Sequence, residues 1–197
     1  MTTIEKQIKE TWFINHRTNL MLINSLTEEA LNFTTSKRGG GAIGHQLAHI
    51  YNVRFWKLEK YDKSLIADLT TITAKDTKTI SMLKDCHTLS AERIGKVLED
   101  GIKKNGEIKG FERGVVPLLG YFISHEGHHR GNILLTLKNC GFKIPDELGK
   151  FVKKLIKEPD QQKLVNFFIS FFLQDGNLFK KRKNETKIDT IEHTFPL

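Results

Sequence analysis

Apolar residues recur at helical spacing through four long stretches of the chain, with polar residues filling the positions between them. In the first, about residues 3–24, Ile4, Ile8 and Trp12 come every fourth residue, and Leu20 and Ile23 continue the series. Thr27, Glu28 and Glu29 then mark the start of a short extra helix. The second stretch, about 42–61, sets Leu47, Ile50, Val53, Trp56 and Leu58 among His45, His49, Asn52 and Arg54. The third, about 77–104, carries Ile80, Leu83, Leu89, Ile94, Val97, Leu98 and Ile102 and ends in the turn signal Lys104, Asn105, Gly106. The fourth, about 112–140, tolerates Pro117 in its first turns and stops at Gly141, with Pro145 just beyond.

The connections follow from what cannot stay helical. Three consecutive glycines in TTSKRGGGA cost too much conformational entropy for a helix, so this segment is a flexible connector. Lys37, Arg38 and Gly39 to Gly41 resemble an anion-holding loop only faintly, because the Lys-Ser or Lys-Thr of a P-loop is missing. The Thr- and Asp-rich segment after residue 61 reads as mostly loop. Without β alternation, the pattern predicts an all-α four-helix bundle with one long connection between its second and third helices.

This assigns residues 1–145 to the bundle, 146–180 to a helical C-terminal extension and 181–197 to a polar tail. Phe167, Phe168, Phe171 and Phe172 in the extension are too apolar to leave in water and should pack on the bundle or on a partner.

Composition narrows the class. The chain has 197 residues, 39% hydrophobic and 27% charged, which suits a single soluble domain with an appendage. No apolar run approaches the roughly eighteen residues that span a bilayer, and the N-terminus lacks a secretory pattern, so a cytoplasmic protein is expected. Cys86 and Cys140 form no CxxC pair and are expected to be buried small apolar residues. The net charge of +8 lies late, much of it in Lys150, Lys153, Lys154, Lys157 and the run Lys180 to Lys183. It forms no aromatic-interleaved stripe, so neither nucleic acid nor membrane is an expected partner.

The chemistry concentrates in YFISHEGHHRGNILLTLKNCGF. His125 and His129 stand one helical turn apart on one face, the spacing at which two imidazoles converge on one ion. That face continues through Leu118, Phe122, Ile133 and Thr136, so both histidines should be substantially buried. Buried neighbouring imidazoles need partners and resist charging, and a divalent cation meets both needs. The bland alternative is a hydrogen-bonded core pair. Against it, a second pair at the same spacing, His45 and His49, lies on the second helix, and one or both would complete a three-histidine shell. Neutral nitrogens suit zinc or nickel.

The string His125, Glu126, Gly127, His128, His129 also satisfies the H-E-x-x-H pattern of zinc peptidases, with Glu126 as general base. Position 135 is Leu135 and position 132 is Asn132, so the metzincin extension fails, and no flanking sheet is expected. Glu126 is the carboxylate nearest the histidines, though about 100 degrees around the helix from His125. It is a candidate catalytic proton acceptor, with a solvated or salt-bridged surface glutamate as its alternative.

HQLAHIYNVRFWKLE and SHEGHHRGNILLTLKNCGFKIP together resemble the DinB family over about residues 1–145. The resemblance implies a four-helix bundle, often a homodimer, with a divalent metal held by His49, His125 and His129. It gives no ligand role to His45, His128 or Arg130, and Asn132 stands where glutamine is common. It implies a metal-dependent hydrolase, or a transferase acting on a small-molecule substrate with a low-molecular-weight thiol. A non-catalytic, stress-associated binding bundle is the alternative. His16, His87 and His193 are single histidines among polar neighbours and are expected at the surface. Trp12 and Trp56 are expected to fill the core or line the site entrance, and Asn52 to face the metal cavity.

Overall fold

A computed structural model describes residues 3–35 and 41–143. Four helices span Ile4–Asn24 (α1), Ile43–Tyr61 (α2), Ile80–Lys103 (α3) and Val115–Asn139 (α4), with short 3-10 turns at Glu29–Asn32 and Lys63–Ile66. No strand occurs among the described residues. The expected C-terminal extension and tail, the phenylalanine stripe, His193 and Lys37 to Gly40 lie outside them.

Local chemistry sets the ends of the helices. Thr3 and Thr79 cap α1 and α3 by accepting the amides of Lys6 and Met82. Glu28 also accepts the Ile80 amide at 3.0 Å, tying the first connection to the start of α3. Gly141, at φ +76°, closes α4 in a Schellman turn, with Gly141 N–H donating to Lys138 O and Phe142 N–H to Leu137 O. The segment after α2 is mostly loop, as its composition predicts. It is clamped by Asn52, whose amide both donates to and accepts from the backbone of Ile72, and by the Tyr51 hydroxyl, which donates to the Thr70 carbonyl.

Helices α1 and α2 each pack against both α3 and α4, completing the bundle. The core divides into two apolar clusters. One gathers Leu22, Ile23, Leu31, Leu47, Ile50, Leu83 and Ile133, and the other Trp12, Leu58, Ala91, Ile94, Leu98, Leu118 and Phe122. Gln46 and Thr136 apart, the buried polar residues of each helix fall near the boundary between these clusters: Asn15, His16 and Asn19 on α1, Arg54 on α2, His87 and Ser90 on α3, Glu126 on α4. A polar layer therefore crosses the middle of the bundle.

Candidate metal centre

Arg54 and Glu126 form the heart of that layer. Both are fully buried, and the guanidinium grips the carboxylate through Nε at 2.7 Å and Nη2 at 2.8 Å. Asn15 and Asn19 donate to the same carboxylate, each at 2.6 Å, and Arg130 donates to Asn19 Oδ1 at 2.6 Å. Arg54 also donates to the His87 carbonyl and lies 4.8 Å from the centre of the Trp12 ring. Burial alone would raise the Glu126 pKa, but the charge and hydrogen bonds of Arg54 overcome it and hold the group at about 2.

This arrangement fixes the rotation of α4. Glu126 takes a fully buried position on the helix, like Phe122 and Ile133, so the flanking His125 and His129 come out half-buried at the rim rather than in the core stripe where they were expected. They meet His49, which reaches across from α2 and is exposed. His49 Nε2 and His125 Nε2 are 3.2 Å apart, and one ligand nitrogen from each of the three rings lies within 4.8 Å of the others. A tetrahedral zinc with Zn–N bonds of about 2.0–2.1 Å separates its nitrogens by roughly 3.3 Å, so one edge of the triangle already has a coordination length.

The rings also lack what the protein alone should supply. Nδ1 of His125 and of His129 are buried without a hydrogen-bond partner. Burial, then the neighbouring histidines, lowers the pKa of His125 and brings that of His129 to about 4, so both rings stay neutral with a lone pair to offer. The donor set fits a divalent transition metal.

Aromatic groups frame the trio. The Tyr121 ring stacks on His125 at 5.7 Å and 11°, and the half-exposed Trp56 ring lies 6.4 Å from His49. Trp12, by contrast, is wholly in the core. His45 is exposed and lines a small cavity with His49 and Asn52, but it does not join the cluster. Asn52 thus flanks His49, with its amide committed to Ile72. His128 is bound by Asn132 at 3.0 Å.

Several expectations are corrected. Glu126 is not at the surface: it is fully buried, with its carboxylate bonded to Arg54, Asn15 and Asn19. His16 and His87 are buried, the latter with Nε2 donating to the Leu47 carbonyl at 3.0 Å, because they belong to the polar layer. Cys140 is exposed just past the end of α4, and Cys86 is only half-buried. Sequence reasoning passed over the polar layer itself. Its signal was present in Asn15 and Asn19, one turn apart between Trp12 and Leu22, and in Arg54 beside Val53 and Phe55.

The DinB family model matches residues 1–149, covering the whole bundle and all three histidines. The chain belongs to the DinB family. Comparison with curated proteins and with solved structures gives no significant match. As a DinB protein with a three-histidine cluster, the chain is compatible with metal binding. No helix among the described residues is long and apolar enough to cross a membrane.

Proposed function

We propose that His49, His125 and His129 hold one divalent transition metal, zinc or nickel, and that the protein is a metal-dependent hydrolase or a low-molecular-weight-thiol S-transferase. The convergence of three imidazoles from two helices carries this reading. When bound, such an ion lowers the pKa of water or of a thiol and so supplies a nucleophile at neutral pH. The chain does the rest. Arg54 and Glu126 hold α4 in the rotation that points both of its histidines outward, while Tyr121 and Trp56 wall the mouth against which a small-molecule substrate would rest. Free Cys86 and Cys140 fit a reducing, cytoplasmic setting. A homodimer, implied by the family resemblance, belongs to the same proposal.

The test is metal analysis of protein purified without chelators, followed by titration with zinc and nickel. One equivalent per chain is expected, and failure to take up either metal would overturn the proposal. A second reading, a non-catalytic stress-associated binding bundle, draws on the sequestration of Glu126, which removes the nearest carboxylate from the chemistry. His129→Ala separates the two. Lost metal binding with the metal-free stability intact favours a functional site, whereas collapse of the fold favours a structural one.

A further inference from the structure

Beside Tyr121, α2 carries a cation that neither the trio nor the polar layer uses. Lys57, on α2 two turns past His49, is half-buried and places Nζ 5.0 Å from the centre of the Phe111 ring and 5.1 Å from that of Tyr121. Tyr121 is the same ring that stacks on His125. The ammonium is thus held one aromatic ring away from a metal ligand. Among the described residues no carboxylate pairs with it, and what holds it in place is the pair of aromatic rings. Two aromatic faces fix a cation in place and strip part of its water without neutralising it. Such a charge is ready for an anion.

We propose that Lys57 forms an anion subsite beside the metal, selecting small substrates that carry a carboxylate, sulfonate or similar group a short distance from the atom that reaches the metal. This rests on the metal reading above and names the substrate class for it. Trp56 and Tyr121 would flank the linking atoms, and the Lys57 ammonium would donate to the anionic end.

Three thiols of matched size test the idea on the full-length, nickel-loaded protein: 2-mercaptoethanesulfonate, 2-mercaptoethanol and cysteamine, which are anionic, neutral and cationic. Binding is read from the sulfur-to-nickel charge-transfer band. The anionic thiol should bind roughly three- to ten-fold tighter than the neutral one, and cysteamine more weakly than either. Lys57→Met should bring the ratios close to one, and Lys57→Arg should keep them. Lys96→Met, which removes the same charge from an exposed site on α3, should leave them unchanged. Equal binding of the three thiols, or the same preference in Lys57→Met with nickel still bound, would overturn the subsite alone. Failure to load nickel, or absence of the band with every thiol, would overturn the metal-thiol reading and the subsite with it.

Discussion

Glu126 shows how much rests on one side chain. Replacing it with glutamine keeps the shape but leaves the Arg54 charge buried without its counterion. The expected loss is about 3–5 kcal/mol of unfolding free energy, measured by denaturant titration, with one metal still bound per chain if folding is retained. A Glu126 serving as the site's proton acceptor would give the reverse: modest destabilisation and a dead enzyme. His16 and His87 carry a second residue-scale prediction. Burial, then the charge of Arg54, depresses their pKa values to about 4 and about 3 from an ordinary 6.5. Below pH 6.5 the unfolded chain binds protons that the folded one refuses, so their contribution to stability is complete above 6.5 and drains away as pH falls toward 4 and 3. The slope per group is about 1.4 kcal/mol per pH unit, and His87→Gln should remove one such share from a pH series of denaturation curves. Such residues were hard to read in the sequence. A histidine among polar neighbours in one dimension looks solvated, and only packing of the four helices reveals that Asn15, His16, Arg54 and His87 come to one level.

At the scale of elements, periodicity and punctuation placed all four helices within a few residues, because the apolar spacing and terminal glycines act locally. The i, i+4 histidines on α4 were legible for the same reason, whereas spacing left His45 and His49 open on α2 and only the family resemblance singled out His49. The rotation of α4 was not. A face defined by Leu118, Phe122 and Ile133 is broad enough to include either His125 or Glu126, and the buried guanidinium on another helix decides between them. The junction of α3 with α4 offers a separate test. A Cβ at Gly101 would run into Ile108 Cδ1 and Val115 Cγ2. Gly101→Ala should therefore cost about 1–3 kcal/mol through overpacking, seen as a lower thermal midpoint, while metal stoichiometry is retained.

For the whole molecule, the two apolar clusters account for cohesion and the polar layer for register, since its bonds join all four helices at one height. Metal at the rim should add to this. At a free concentration one hundred times its dissociation constant it stabilises the native state by about 2.7 kcal/mol, so zinc should raise the melting temperature of the wild type and leave that of His129→Ala unmoved. Adjacent positions on α4 send His125 outward to His49 and Glu126 inward to Asn15 and Asn19 on α1. Gripping the first leaves the second little room to drift. Deuterium uptake by the amides of residues 15–19 should therefore slow when the rim is loaded, even though α1 supplies no ligand: a helix outside the metal shell becomes its reporter.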